Sequence, residues 1–287
     1  MPRPVSPRRQ AMERRQRITS GPLRMPSGKD KVISSVQPNA AVKEKYQGKM
    51  ERLVEEMQRS LVWHLRAGYR ANEPAVAQLA EDAAPASALK RIMDRLAKYW
   101  QQRFDEAAPR MAAWFATNAL ERSESQLRSI LREAGFSVRF DPTRASTDVF
   151  QATLDENVGL IRSIASEHLG DVRGIVMRGI QAGRDAQVIT EELQHRYGIT
   201  YRRAANIARD QNNKATAAMA RTRKMELGLF EADWQHSHGG RQPRPDHVAA
   251  HGKRFDIRQG CLISGEYIQP GELINCGCTA KSVIPGF

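Results

Sequence analysis

Apolar side chains recur every three or four positions through Val42, Tyr46, Met50, Leu53, Met57, Leu61 and Leu65. That spacing lays them along one stripe and predicts a long amphipathic helix over roughly residues 41–70. Asn72–Ser87, which holds Pro74 and Pro85, reads as a loop. The helical period resumes at Ala88 and runs to about Glu133, with Ile92, Leu96, Tyr99 and Trp100 on its first face and Trp114, Phe115, Leu120, Leu127, Ile130 and Leu131 beyond. Pro109 is expected to break or kink it. Gly135 suits a C-cap, and Ser137–Phe140 suits a short strand. Thr153 is read as the start of a third helix through Leu154, Val158, Ile161, Ile164, Leu169, Val172, Val176 and Ile180, with an interruption allowed at Gly170-Asp171 and an end at Gly183. A short helix over Ala186–Tyr197 then stops at Gly198. Thr200 caps a last helix over Tyr201–Leu227, whose Ala204, Ile207, Ala208, Ala215 and Ala218 form a small-residue face.

After Gly228 the helical period is lost, and Gly, Pro, His and Cys become dense. Short strands are expected at Glu231–His236, Gly252–Ile257, Cys261–Ile268 and Thr279–Ile284, with a short helix over Asp246–His251. The predicted fold is mainly α: long helices in the N-terminal two-thirds, followed by a small α+β, loop-rich C-terminal domain. The expected organisation is an arm over 1–40, a helical region over 41–150 and a third region over 151–287, itself split into helices to 227 and the small domain from 228.

Composition fits that division. A hydrophobic share of 40% in 287 residues excludes a wholly disordered chain, and no run of 18 apolar residues offers a membrane span. The N-terminal MPRPVSPRRQ lacks the apolar stretch of a secretory signal, so classical secretion is not expected.

Charge adds more. Of the net +13, residues 1–40 carry +7 and residues 201–227 carry +5, while residues 228–287 are neutral. The first segment, rich in Pro, Ser and Gly, has too few apolar residues to offset the entropy of ordering and reads as a disordered arm. Arg8, Arg9, Arg14, Arg15 and Arg17 of the arm, with Arg202, Arg203 and Arg209 of the last helix, are the candidates to neutralise DNA phosphates. Such contact is sequence-independent and strongly salt-dependent. The alternative is a solvated tail and a solvated helix face with aliphatic stems over the core. No aromatic residue lies among the arm's arginines, so base stacking is not indicated.

All three cysteines and four of the seven histidines fall between His236 and Cys278. His247-x-x-x-His251 puts two imidazoles on one helix face, His236-x-His238 puts two on one side of a strand, and Cys276-x-Cys278 is a tight thiol pair. A structural zinc on His247, Cys276, Cys278 and one further ligand is one reading. Buried thiols with hydrogen-bonded histidines are the other, and a disulfide is a third, disfavoured by a reducing cytosol. The histidine pair lacks the Glu of a His-Glu-x-x-His protease, and neither a Walker loop nor a dinucleotide fingerprint is present.

One ordered string remains: Ala208-Arg209-Asp210-Gln211, Trp234, Arg244-Pro245-Asp246-His247, His251-Gly252-Lys253-Arg254-Phe255, Pro270-Gly271-Glu272 and Asn275-Cys276-Gly277-Cys278. This string resembles the C-terminal signature of the Mu protein F-like minor head proteins of tailed bacteriophages, also called phage head morphogenesis proteins. It departs from the family's usual pattern at Gly277, where an Arg is common, and at His236-Ser237-His238-Gly239-Gly240, where an Asp often follows the Trp strand. The resemblance implies a non-enzymatic virion component, present in few copies inside the head near the portal and in the host cytoplasm during assembly. Its implied partners are the portal protein, other head or scaffold proteins and the double-stranded DNA genome, with no membrane and no required cofactor. Two readings compete with it: a metal-dependent nuclease or hydrolase built on the His/Cys cluster, and a DNA-binding protein unrelated to phage.

Overall fold

The structure is a computed structural model that describes Leu23 and residues 28–71, 85–181, 186–239 and 242–286. Arg8, Arg9, Arg14, Arg15 and Arg17, most of the expected loop after residue 71, and Gly183 lie outside the described residues. Four long helices come first: α1 (Ala40–Ala71), α2 (Pro85–Glu133), α3 (Arg144–Gln181) and α4 (Ala186–Glu226). Ahead of them runs a two-residue strand, β1 (Lys31–Val32). After them come β2 (Glu231–Gln235), the short helix α5 (Pro245–Ala249), β3 (Arg254–Asp256), β4 (Cys261–Ile263), β5 (Glu266–Ile268) and β6 (Thr279–Ile284). The mainly helical fold with a small strand-containing C-terminal region is as the sequence predicts. No helix among the described residues is long and apolar enough to cross a membrane.

Three helices run further than their sequence punctuation suggests. α2 passes unbroken through Pro109. Phe104, Ala108, Ala112 and Phe115 stay buried on either side of it, while Pro109 itself faces solvent. Burial of that face holds the helix, and water can serve the carbonyl that the missing N–H leaves free. α4 passes through Gly198, so Thr200 is no N-cap. Its hydroxyl instead meets the Arg196 carbonyl at 3.3 Å and the buried His168 Nδ1 at 2.8 Å. α3 starts nine residues before Thr153, at a reciprocal cap in which Ser146 N–H donates to Thr143 Oγ1 and Thr143 N–H to Ser146 Oγ. It also runs uninterrupted past Gly170. Gly135, at φ +100°, does close α2, but Ser137–Phe140 forms no ladder. Phe136 and Val138 are simply buried there.

The chain divides into two compact units. The first comprises 1–43, 116–153 and 209–287, the second 44–115 and 154–208. In the second, the predicted α1 stripe is buried from Tyr46 to Leu65. Tyr46 stacks on Phe115 at 4.4 Å and donates its hydroxyl to Asn157 at 2.8 Å. In the first, one cluster gathers Leu23, Ile33, Val36, Leu131, Phe136, Leu229 and Ile284.

The first unit also carries a four-stranded antiparallel sheet in the order β1-β6-β2-β3, beside a β4-β5 hairpin. Cys261–Ile268, read as one strand, is that hairpin. It turns on Ser264 and Gly265, both at positive φ, as a tight two-residue turn requires. The expected arm over 1–40 is folded in its last part. Lys31 and Val32 pair with Ile284 and Val283, and Leu23 N–H donates to the Leu227 carbonyl at 3.2 Å.

Candidate metal centre

β2 and α5 bring Trp234 and His247 together, their rings meeting edge to face at 5.2 Å. A loop descends from β5 through Pro270-Gly271 to Asn275 and delivers Cys276 and Cys278 to the same place. His247 Nδ1 lies 3.5 Å from Cys276 Sγ and 3.6 Å from Cys278 Sγ. The three donor atoms fall within 4.8 Å of one another, and the residues are only 2–4% exposed. All three cysteines are free thiols. The structure thus brings together the three residues the sequence proposed as metal ligands and gives them one focus.

The histidine pairings suggested by spacing are arranged differently. His251, one helical turn from His247, is exposed, and its Nδ1 accepts the His236 N–H at 3.2 Å. His236 Nδ1 accepts the His238 N–H at 3.1 Å. Each ring therefore spends its Nδ1 lone pair on a backbone donor, which fixes the neutral tautomer protonated at Nε2. Burial pushes the His236 imidazole below its usual range, reinforced by His238. These rings form a supporting wall beside the focus.

The two sulfurs are unequal. The Cys278 side chain hydrogen-bonds Cys276, lowering the Cys276 thiol well below its ordinary value against the opposing effect of burial. The backbone N–H groups of Cys278 and Gly271 and the nearby His247 lower it further. Cys278 is raised by the same shared hydrogen bond and by burial, while the Ser237 backbone N–H favours its anion. Three backbone donors thus aim at sulfur, an arrangement that prepares thiolates for a cation.

The rest of the string surrounds this focus and explains itself. Asp210 on α4 accepts the Asn275 N–H at 2.5 Å and pairs with Lys214 at 3.2 Å. Arg209 donates to Asn275 Oδ1 at 3.0 Å, and Asn213 to the Cys276 carbonyl at 3.2 Å. The turn they grip carries Asn275 at φ +61°. Gly271, at φ +82°, lies under α4, where a Cβ would come within 2.8 Å of Ala217 Cβ. Arg244 donates to the Ile274 carbonyl at 2.9 Å, and Asp246 accepts from its neighbour His247 N–H and from Ser264 Oγ. A Cβ at Gly277 would lie 3.1–3.3 Å from the Ser237 side chain, so this departure from the family pattern has a local steric basis.

The candidate DNA-contacting residues of α4 differ in their partners. Arg202 is exposed, Arg209 grips Asn275, and Arg203 is ion-paired with Glu167 and donates to Ser163 Oγ at 2.8 Å. Much of the remaining charge of this helix is internal. Arg223 is 3% exposed, bonds Glu124 and Glu226, and lies 5.3 Å over the Phe140 ring. Lys224 is 4% exposed and donates to the Ala280 carbonyl at 2.9 Å. A cationic feature that the sequence reading missed lies in the second unit. A groove of about 450 Å³ between α1 and α2 is lined by Lys49, Arg52, Arg103 and Arg110, with Glu56 paired to Arg103 at 3.3 Å. Its signal was hidden because acidic residues elsewhere cancel these cations in any segment-wide count.

Residues 170–281 match the sequence profile of the family described as Phage Mu protein F like protein. The match spans less than half of the chain and shows that this region is similar to the Mu protein F-like family. A curated protein of Haemophilus influenzae (strain ATCC 51907 / DSM 11121 / KW20 / Rd), described as an uncharacterized protein, is 25% identical over 198 residues. That alignment covers 68% of this chain and 43% of the relative, so the chain spans less than half the relative's length. No solved structure matches.

Proposed function

We propose that the chain is a minor head protein that acts beside the portal during head assembly and DNA packaging or delivery, with non-specific contact to the genome. The observation that carries this reading is the family match over residues 170–281. The geometry supports it. The string of motifs closes on one buried focus, so the signature describes a folded scaffold. An active cleft would need access, and the donor atoms here are covered. Among the described residues the donor group itself holds no carboxylate. The proposed partners are the portal and other head proteins, and the proposed place is the head interior near the portal.

Genome contact is assigned to the arm's arginines, to Arg202 and to the groove between α1 and α2. Close-packed DNA presents phosphates at every approach, and Lys49, Arg52 and Arg110 offer fixed cations to them. Mass spectrometry of virions released from the strain that carries the gene tests the assignment. The expected result is this chain at low copy in each particle, with defective heads when the gene is deleted. Absence from virions, together with normal heads in the deletion, would sink it.

A further inference from the structure

We propose that His247, Cys276 and Cys278 bind one zinc ion through His247 Nδ1 and the two sulfurs, leaving the fourth position to a non-protein donor such as water. The proposal stands on geometry and does not rest on the head-protein reading. Zinc bonds sulfur at about 2.3 Å and imidazole nitrogen at about 2.0–2.1 Å. Two such bonds at a tetrahedral angle hold sulfur and nitrogen about 3.6 Å apart. The observed separations are 3.5 and 3.6 Å, one to each sulfur. Two of the three donor–donor edges therefore already have the length that a tetrahedral zinc site sets, and the third, between the sulfurs, lies within 4.8 Å.

The surroundings favour the same occupant. Backbone N–H groups of Gly271, Cys278 and Ser237 hydrogen-bond the sulfurs, so both thiolates have donors waiting outside the metal shell. Thiolate with imidazole selects a borderline-soft ion and disfavours magnesium or calcium, which require oxygen donors. Binding expels the thiol protons of Cys276 and Cys278 to solvent. The ligands come from α5 and from the loop leading into β6, so the ion fastens that loop to α5.

Cys261 supplies a control. It is buried and free, on β4, outside the donor group. Full-length protein purified under reducing, chelator-free conditions is expected to carry about one zinc per chain by elemental analysis. Chelated, reduced protein titrated with Co²⁺ is expected to develop the charge-transfer absorption of cobalt–thiolate bonds, which added Zn²⁺ abolishes. Cys276→Ser with Cys278→Ser removes both the metal and the absorption, His247→Ala weakens Co²⁺ affinity by at least tenfold, and Cys261→Ala retains full stoichiometry. The wild-type count and cobalt spectrum decide the matter even if a ligand variant fails to fold. No zinc after purification combined with no cobalt–thiolate absorption overturns the proposal, and so does full metal content in the double serine variant.

Discussion

Asp210 shows how a single residue can be readable in order and unreadable in role. It stands in the string that carries the family resemblance, yet nothing in the sequence places it against Asn275, which lies 65 positions away. Only the fold brings its carboxylate to the Asn275 N–H, at a backbone turned to positive φ. Asp210→Ala removes that acceptor and the ion pair with Lys214. The expected cost is about 2 kcal/mol, read as a lower midpoint in urea unfolding. An unchanged midpoint would show that the turn is held by Arg209 and Asn213 alone. The same blindness affected charge: Arg223 and Lys224 counted toward a basic helix, and both are buried. Covalent sequence gives a residue's charge, but only packing decides whether that charge meets solvent.

His168 makes a pH prediction. It is fully buried, with Nδ1 against Thr200, and burial pushes its imidazole down to about 4 from an ordinary 6.5. Arg196 lowers it further, against a smaller opposing effect of Asp171. The folded chain thus keeps His168 neutral where the unfolded chain protonates it. Stability is complete above pH 6.5 and falls as pH drops from 6.5 toward 4, by at most about 3 kcal/mol from this residue. Urea unfolding of wild type and His168→Gln at pH 7 and pH 5 checks it: the variant should lose less stability between the two. Equal losses would remove His168 as a source.

At the scale of elements, periodicity was the reliable signal and punctuation the unreliable one. The α1 stripe is buried as read, because seven apolar positions over several turns leave a helix few other ways to fold. Pro109 and Gly198 were read as breaks, yet each is a single local cost set against a face buried on both sides. The start of α3 was missed because Thr143 and Ser146 precede the apolar stripe, and a cap only reveals itself through its hydrogen bonds. Thr143→Ala removes that cap, along with the short bond its hydroxyl donates to Glu226 at 2.5 Å. It should lower stability by about 1–2 kcal/mol, measured by thermal or urea unfolding. A loss below a few tenths would mean that tertiary packing alone fixes this helix start. The three donors of the candidate metal site were legible in the sequence, since dense His and Cys stand out. Their exclusive grouping was not, because spacing offers His251 equally, whereas in the fold His247 Nδ1 faces both sulfurs and the exposed His251 turns its Nδ1 to the His236 N–H.

For the whole molecule, nearly all of the net +13 sits in an N-terminal arm and a partly internal helix, and a groove adds a local cationic surface that the net count hides. The sequence invites deletion of the arm through residue 31, but Leu23, Lys31 and Val32 belong to the folded unit. Deletion of residues 1–22 is the cleaner cut. It removes six arginines and should flatten the salt dependence of DNA binding by about 5 units on a log–log plot if each meets a phosphate, with the fold intact by circular dichroism. Arg52→Glu with Arg110→Glu should weaken binding further and flatten the slope by about 2 more. An unchanged slope in both variants would detach DNA contact from these cations.

The central claim is that this chain works beside the portal, and association with the portal tests it most directly. Full-length chain is co-expressed with the portal protein of the same phage genome, and the mixture is examined by size exclusion and native mass spectrometry. The expected result is a stable complex in which this chain co-migrates with the portal at about 0.15 M salt, with DNA digested away. Separate elution of the two proteins under those conditions, together with normal head assembly when this chain is deleted, would contradict it.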